Sequence, residues 1–455
     1  MLTGYTMNHN MSKTLRLIIF LLFVFAFLLT APLVVLYTAG YRFDLTHGRI
    51  VHTAVLNMTS SPRNAQVFVD DEPMSDRTPS VVDTILPGEH LVRLEKDGYL
   101  SWKTPLTFKS REARVIGPIV LFLDESPILE ETLVAKTIAH HEKTNRVAYL
   151  SQESSWLEVW DININSSEKK LLMRLPFDSE SAYQLTWSEQ GTYLLLNQHH
   201  GSLNNLSLVK ASNGLGIELP EDVQDVDDFW WDVGQDDYLY VVKDELVSRF
   251  AILSNQTTSL SFQADRIQTI DHKEVVLSTS NNKAVLSIQD GETASILTYL
   301  PLSAYEFVFA PSGLIALHDT HRNRLILIEP NNRDQPILLN EEALLWKWNT
   351  TGDALLYSSG YDVKRYLRYN HQVETLTRLS QKIDFINWYP EASVALYQSN
   401  GITTALILDG ATTLSQSILS TDLFGPFWIN KDGSILHLLK QDGDSWQWWS
   451  RALQE

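Results

Sequence analysis

The densest cluster of side chains able to do chemistry is an acidic stretch at residues 221–237, with the sequence EDVQDVDDFWWDVGQDD. Its candidate metal ligands are Asp222, Asp225, Asp227 and Asp228, because calcium prefers carboxylate oxygens. Their spacing does not match a D-x-D-x-D-G calcium loop. We therefore favour a solvated acidic loop between structural elements, keep calcium binding as the alternative, and predict no cofactor.

The histidines form two adjacent pairs, His140-His141 and His199-His200. Neighbours on a strand point to opposite faces of the sheet, which is wrong for a shared metal ion. The sequence contains no G-x-S-x-G elbow, H-E-x-x-H helix or P-loop. Because it also has 0 Cys, thiol catalysis is excluded. We predict no catalytic residue and expect the protein not to be an enzyme.

The net charge of the chain is strongly negative, and the charged residues are unevenly distributed along it. The formal net charge is −19, yet residues 1–42 contain Lys13, Arg16 and Arg42 and no acidic residue. Because the residues after 42 carry a large negative charge, they repel the phosphate backbone of DNA and RNA. We therefore predict no nucleic-acid partner.

An uncharged apolar segment, LIIFLLFVFAFLLTAPLVVLY, occupies residues 17–37. About 20 such residues span a bilayer as a helix. Lys13 and Arg16 precede it, so the positive-inside tendency places the N-terminus in the cytoplasm and the rest of the chain outside. We therefore predict that residues 1–42 form a cytoplasmic N-terminus and a single-pass anchor in the cell membrane. A cleaved signal peptide is the alternative, although its apolar core is usually about 7–15 residues.

Short alternating strands separated by turn residues fill residues 59–125, after a juxtamembrane strand or linker at 43–58. The alternation is clear in 65–69, and Pro87-Gly88 and Asp97-Gly98 are turn signals. These signals predict a compact antiparallel β-sandwich.

Two segments of this module, SPRNAQVFVDDEPMSDRTPS and LPGEHLVRLEKDGYLSW, resemble the PEGA domain, a small extracytoplasmic β-module of bacterial surface proteins. The elements that carry the resemblance are Thr78-Pro79, the Pro87-Gly88-Glu89-His90 turn and Lys96-Asp97-Gly98-Tyr99. The resemblance implies a surface or stalk module without an active site.

Residues 126–455 contain a repeat of about 40 residues, each with a bulky apolar residue, a polar turn and a strand. The repeat positions are Trp187, Trp231, Ile270, Phe309, Trp348, Trp388 and Trp428. Strands of period two with this repeat length are typical of β-propeller blades, and the length accommodates about eight, with seven as the alternative. We expect the large rings to pack between blades.

This repeat resembles TolB-type and WD-repeat-like propellers. The predicted fold is therefore all-β apart from one N-terminal transmembrane helix, with a PEGA-like sandwich followed by a β-propeller.

Three functions remain open. We favour a membrane-anchored extracytoplasmic envelope protein that binds or scaffolds a protein, glycan or envelope polymer. The alternatives are a hydrolase or lyase with its site in the central channel, and a structural surface-layer or adhesion component. Fold alone does not decide between them.

Overall fold

A computed structural model of the chain describes residues 13–44, 48–260, 262, 264–270, 272–290, 293–390, 393–409, 412–420 and 423–455. The chain divides into two compact units, Met1–Asp124 and Glu125–Glu455.

The first unit begins with one long apolar helix, α1 (Lys13–Thr38), which contains Pro32. Its segment Thr14–Thr38 has a mean hydropathy of 3.0 and none of it is buried, so it is long and apolar enough to cross a membrane. A signal sequence would have the same properties.

Nine strands follow in this unit and form a hairpin, a three-stranded sheet and a four-stranded sheet. The hairpin contains β1 (Tyr41–Asp44) and β2 (Arg49–His52). The three-stranded sheet has the order β6 (Ser80–Ile85), β3 (Ala54–Ser61), β9 (Ala113–Val120). The four-stranded sheet has the order β5 (Glu72–Arg77), β4 (Gln66–Val69), β7 (Gly88–Glu95), β8 (Trp102–Phe108).

The core of this module consists of apolar side chains from both sheets. Leu56 comes from the three-stranded sheet, and Val67 and Trp102 come from the four-stranded sheet; all three are fully buried. Their burial removes apolar surface from water, which is the main stabilisation of a module this small. His90 contacts Asp70 at 2.5 Å and the Leu86 carbonyl at 2.7 Å, so it fastens the turn that precedes β7.

In the second unit, the described residues form eight four-stranded antiparallel sheets, numbered here in chain order. Sheets 1 and 2 contain β11 (Thr137–His141), β12 (Arg146–Glu153), β13 (Trp156–Asn163), β14 (Glu168–Pro176), β15 (Ala182–Trp187), β16 (Tyr193–His200), β17 (Leu203–Lys210) and β18 (Leu215–Ile217). Sheets 3 and 4 contain β19 (Asp228–Trp231), β20 (Tyr238–Lys243), β21 (Leu246–Ala251), β22 (Gln256–Ser259), β23 (Arg266–Ile270), β24 (Lys273–Ser280), β25 (Lys283–Asp290) and β26 (Thr293–Pro301).

Sheets 5 and 6 contain β27 (Tyr305–Val308), β28 (Ile315–Asp319), β29 (Arg324–Ile328), β30 (Ile337–Glu342), β31 (Leu345–Trp348), β32 (Ala354–Ser358), β33 (Asp362–Leu367) and β34 (Gln372–Arg378). Sheets 7 and 8 contain β35 (Phe385–Trp388), β36 (Val394–Ser399), β37 (Ile402–Asp409), β38 (Thr412–Ser420), β39 (Phe427–Ile429), β40 (Ile435–Asp442), β41 (Ser445–Ala452) and β10 (Ile128–Val134). Two short 3-10 turns, Glu142–Thr144 and Glu221–Val223, complete the described helical structure of this unit.

Sheet 8 joins the two ends of the unit. Its order is β10-β41-β40-β39, so the first strand of the unit pairs with the last one. Thr132 lies opposite Gln447 in this antiparallel pair. Such pairing closes the circle of a propeller and removes an exposed sheet edge. The predicted fold class, all-β with one N-terminal helix and a propeller of four-stranded sheets, is confirmed. The number of blades and the boundaries at residues 42, 58 and 125 stay predictions.

Candidate functional site

In sheets 2, 3, 6 and 8, a polar residue follows the first strand and caps a tight turn. The Ser188 hydroxyl accepts the amide of Tyr193 at 3.0 Å. The Asn430 side chain likewise accepts the amide of Ile435 at 2.8 Å. Such side-chain bonds replace backbone partners that a turn cannot supply. The turns therefore fix where each first strand ends.

Large aromatic residues at the ends of these first strands connect neighbouring sheets. The indole of Trp187 donates to the Ala139 carbonyl of sheet 1 at 3.0 Å. The indole of Trp388 donates to the Lys347 carbonyl of sheet 6 at 2.9 Å. Both rings also pack against buried apolar clusters. These residues hold sheets together, as the sequence predicted for the repeat positions.

The 3-10 turn at Glu142–Thr144 reaches across the axis of the propeller. Glu142 forms an ion pair with Lys347 of sheet 6 and accepts a hydrogen bond of 3.1 Å from Asn387 of sheet 7. Lys143 pairs with Glu189 beside sheet 2 at 2.6 Å and lies 4.1 Å from the ring centroid of Phe309 beside sheet 5. A turn that contacts four other sheets lies at the centre of the ring.

The pair His140-His141 stands next to this turn, and its two rings diverge. The His140 ring stacks on Trp428 of sheet 8 with centroids 3.6 Å apart. The His141 ring lies 5.8 Å from Trp187 of sheet 2 and contacts the Glu189 carbonyl at 3.1 Å. Burial, with a smaller contribution from Lys347, lowers the pKa of His140 well below its usual value, so this ring is neutral.

The first part of the acidic stretch, residues 221–227, lies in the connection from β18 of sheet 2 to β19 of sheet 3, and the rest forms β19 and the turn to β20. Val223 and Val226 are fully buried in the apolar cluster between these sheets and anchor the connection. The Asp227 carboxylate accepts the Asp244 amide at 3.0 Å. The Asp228 carboxylate pairs with Arg266 of sheet 4 at 2.7 Å. Two of the candidate calcium ligands therefore already have protein partners.

The other two candidate ligands, Asp222 and Asp225, are not grouped with further metal-binding side chains. Asp222 is in the 3-10 turn, and Asp225 has a left-handed backbone with φ of 49°. Within the described part of the chain, no group of three His, Asp or Glu side chains is placed to hold a metal ion. Calcium binding at Asp222, Asp225, Asp227 and Asp228 stays a prediction.

Asp232, at the end of the acidic stretch, is fully buried. Burial raises its pKa, and hydrogen bonds from the Thr269 and Gly234 amides act in the opposite direction. The Tyr240 hydroxyl also donates to it at 3.3 Å. This carboxyl group therefore connects sheets 3 and 4 and is not available to a ligand.

A shallow, open cavity of about 350 Å³ lies on sheet 2. Its lining residues are Ala182, Tyr183, Gln184, Asn197, His199 and Asn204. Strand pairing sets Ala182 opposite His199, Gln184 opposite Asn197, and His199 opposite Asn204. The cavity therefore lies across three adjacent strands of sheet 2.

Asn204 connects this cavity to the acidic stretch. Its amide nitrogen donates to the carbonyls of Val226 at 3.2 Å and Asp227 at 3.0 Å. Its amide oxygen accepts from Asn197 at 2.9 Å and contacts His199 Nδ1 at 3.0 Å. The backbone of the acidic stretch and the His199 ring therefore both contact Asn204, whereas no carboxylate of the stretch lines the cavity.

A Ser, a His and an Asp also lie close together just before β15, the first strand of sheet 2. The Ser181 hydroxyl contacts Asp178 at 2.5 Å and His200 Nδ1 at 3.4 Å. The Ser181 hydroxyl donates a hydrogen bond directly to the Asp178 carboxylate, and this bond holds the pKa of Asp178 below its usual value. A hydrolytic triad needs the histidine between the other two groups. These three side chains therefore stabilise a turn and do not form a catalytic triad.

The cavity was not predicted from the sequence, although the sequence contains one signal for it. Tyr193, Leu195 and Asn197 alternate along β16, and the first two are buried in the apolar cluster facing sheet 3. Asn197 continues the same face, so a polar amide stands where the pattern favours an apolar side chain. Such a break in a strand pattern indicates a functional position.

Comparisons with known proteins found one matching domain family and several solved propeller structures of low similarity. Residues 53–116 match the PEGA domain family. The C-terminal WD40 domain of Sif2 aligns with a TM-score of 0.48 and 11% identity, covering 71% of this chain and 98% of that one. The Dos1 propeller aligns with a TM-score of 0.46 and 12% identity, covering 71% and 95%.

An oligogalacturonate lyase in complex with manganese aligns with a TM-score of 0.39 and 10% identity, covering 70% of this chain and 98% of the lyase. A search of curated protein sequences found no match. From its matched segment and its four-stranded sheets, the chain combines a PEGA domain at residues 53–116 with a C-terminal β-propeller.

Proposed function

We propose that this protein is a membrane-anchored extracytoplasmic envelope protein whose propeller binds a protein, glycan or envelope polymer without catalysing a reaction. The supporting observation is the occupied axis of the propeller. Glu142 stands there, and its carboxylate is held by Lys347 and Asn387. A carboxylate held in this way is not free to act as a general acid or base at the centre of the ring.

Two carboxyl groups with lowered pKa values, Asp353 and Asp432, are consistent with this interpretation. A hydrogen bond from Asn349 lowers the pKa of Asp353, and one from Ser434 lowers the pKa of Asp432. Both groups belong to the tight turns that follow first strands. Their shifts arise from turn geometry, whereas catalytic pairs shift through mutual charge or deep burial.

The anchor is proposed from helix α1. Its apolar side chains are exposed in the structure, with Phe23 at 69% and Phe27 at 67%. Exposed apolar surface of this extent is unfavourable in water and favourable in a bilayer. Lys13 and Arg16 on its N-terminal side support an N-terminus in the cytoplasm.

The binding function is tested by affinity purification from detergent-solubilised membranes of the source cells. The full chain should enrich a defined set of proteins or polymers, and a chain shortened to residues 1–124 should not. Equal sets from the two chains would contradict a binding role for the propeller.

A further inference from the structure

The hairpin that follows α1 carries an exposed apolar pair of side chains. In the antiparallel pairing of β1 with β2, Phe43 lies directly opposite Ile50, so both side chains are on the same face of the hairpin. Phe43 is 57% exposed and Ile50 is 56% exposed. Exposed apolar side chains that stand together, unlike single scattered ones, indicate a surface that binds a partner.

Contacts with the PEGA domain hold the hairpin in place and leave this pair facing outward. The Ser110 hydroxyl donates to the His52 carbonyl at 3.2 Å, and the Arg111 guanidinium donates to the Tyr41 hydroxyl at 3.1 Å. Side chains alternate between the two faces of a strand, and Asp44, on the face opposite the apolar pair, is 5% exposed. The hairpin therefore turns its Asp44 face inward and its apolar pair outward.

A second group of contacts fixes the hairpin to the last turn of α1. Arg42 donates to the Tyr37 carbonyl at 2.8 Å, and its guanidinium carbon lies 3.6 Å from the centroid of the Tyr37 ring. The Gly40 carbonyl accepts the Thr53 amide at 2.9 Å. The last carbonyls of a helix lack donors within the helix, so Arg42 supplies one of them. The helix end, the hairpin and the start of the PEGA domain are therefore bonded to one another.

The length of α1 places this hairpin at the surface of a bilayer. A helix of 26 residues is about 39 Å long, whereas the hydrocarbon core is about 30 Å thick. When α1 spans the bilayer, its C-terminal end at Thr38 therefore lies in the headgroup layer. Phe43 follows Thr38 by five residues, and five residues span at most about 18 Å. The apolar pair is thus held within reach of the boundary between headgroups and acyl chains.

The charges beside the apolar pair complement phospholipid headgroups. The Arg49 side chain is 61% exposed, and Arg111 is also exposed. A guanidinium group binds phosphate oxygens through paired hydrogen bonds. The Asp44 carboxylate lies 3.7 Å from Arg49, but it is buried and does not face the surface. Apolar side chains flanked by exposed arginines fit the level of a bilayer where acyl chains meet phosphates.

We propose that the hairpin formed by β1 and β2 binds the phospholipid bilayer directly, with Phe43 and Ile50 among the upper acyl chains and Arg49 and Arg111 on lipid phosphates. This inference rests on the proposed anchoring of the chain by α1. The hairpin adds a second membrane contact beside the helix. Because it is bonded to the PEGA domain, it fixes the height and tilt of that domain over the surface.

The test places single fluorescent probes on the full chain in nanodiscs of phosphatidylcholine and phosphatidylglycerol. Because the sequence has 0 Cys, Ile50→Cys can be labelled at one position with an environment-sensitive nitrobenzoxadiazole dye. Lipids that carry a nitroxide near the top of the acyl chain should quench most of its emission. Ser101→Cys is the control probe and should keep its emission, because Ser101 is exposed and β8 separates it from Ser110 by roughly 23 Å.

A second change tests whether the apolar pair is responsible for the contact. In the Ile50→Cys chain, Phe43→Ser should reduce the quenching by lipid nitroxide at least twofold. Val115→Ser is the matched control, because Val115 is 65% exposed on β9 of the same unit, and it should leave the quenching unchanged. Both changes affect exposed side chains, so both variants should fold like the parent chain.

The proposal is overturned if the probe at position 50 is quenched no more than the probe at position 101, or if Phe43→Ser and Val115→Ser have equal effects. Disulfide-linked dimers of Ile50→Cys without lipid quenching would overturn it in favour of contact between two copies. A probe on Leu28→Cys, at a position 66% exposed in α1, tests the anchor separately. Quenching at position 28 but not at position 50 makes this inference fail alone; quenching at neither position makes the proposed anchoring fail too.

Discussion

At the scale of single residues, the turns after first strands depend on glycine because neighbouring turns approach closely. Gly433 has a φ of 79°, and a Cβ atom there would lie 2.5 Å from the Tyr389 hydroxyl oxygen. The same tyrosine donates to the Gly433 carbonyl at 3.0 Å. Gly443 also has a positive φ, 58°, but a Cβ atom there would have no neighbouring atom within 4 Å.

We expect Gly433→Ala to destabilise the protein more than Gly443→Ala. Both changes place a side chain in the left-handed region, which costs roughly 1–2 kcal/mol. Gly433→Ala adds the overlap with Tyr389, so its total cost should be about 1–3 kcal/mol larger. Urea unfolding of the two variants measures the difference, and equal midpoints would contradict close packing of these turns.

A buried histidine makes the propeller sensitive to acid. His437 is 5% exposed and accepts a hydrogen bond from the Trp448 indole at 3.3 Å. Burial lowers its pKa to about 4. In the unfolded chain the ordinary value is about 6.5, so the unfolded state takes up the proton first as pH falls.

The contribution of neutral His437 to the free energy of unfolding is therefore complete above about pH 6.5. It is lost progressively as the pH falls to about 4. We expect the loss between pH 7 and pH 5 to be about 2 kcal/mol. His437→Asn keeps an acceptor for Trp448 and removes the titration. Urea unfolding at both pH values should show a smaller acid loss for this variant; an unchanged loss would contradict the assignment.

At the scale of elements, the pairing of β10 with β41 holds the ends of the propeller together. Thr132 and Gln447 are direct partners in this pair. Partners in an antiparallel pair have Cα atoms about 4.5–5.5 Å apart, which is within the range that a disulfide bridges.

We expect the double variant Thr132→Cys and Gln447→Cys to form a disulfide on oxidation and to unfold at a higher temperature than its reduced form. The chain has 0 Cys, so no other pairing competes within it. Thr132→Cys alone is the control and should show no redox-dependent shift. Absence of the cross-link in folded protein would contradict the closure by β10.

The elements were largely predictable, because each repeat carries its own local signals. The alternation of strands and the bulky residues before turns predicted a repeat of β-propeller blades, and the structure has repeated four-stranded sheets. The contact of Glu142 with Lys347 was not predictable, since the repeat pattern says nothing about pairs across the axis. The site at Asn197 depends on Val226 and Asp227, which reach it through a connection of irregular structure.

At the scale of the whole molecule, the proposed topology separates the two sides of α1. The absence of Cys from the sequence allows single engineered cysteines to report on each side. Ser166, in the turn between β13 and β14, is exposed. Ser12 precedes the apolar segment.

We expect Ser166→Cys to react with a membrane-impermeant maleimide in intact spheroplasts, and Ser12→Cys to react only after permeabilisation. In the proposed topology, the propeller lies outside and the N-terminus lies in the cytoplasm. A chain lacking its N-terminus and released from the membrane would instead support a cleaved signal peptide. Labelling of both positions in intact cells would contradict the orientation.

The strand β10 also has a consequence for the order in which the chain is made. A chain that emerges N-terminus first presents β10 long before β41 exists, so this strand waits with its edges unpaired. An unpaired strand is a template for aggregation, and charged side chains reduce that risk. β10 carries Glu130 and Glu131 at its centre. Two charges on this strand disfavour its pairing with another chain in the interval before its last sheet is complete.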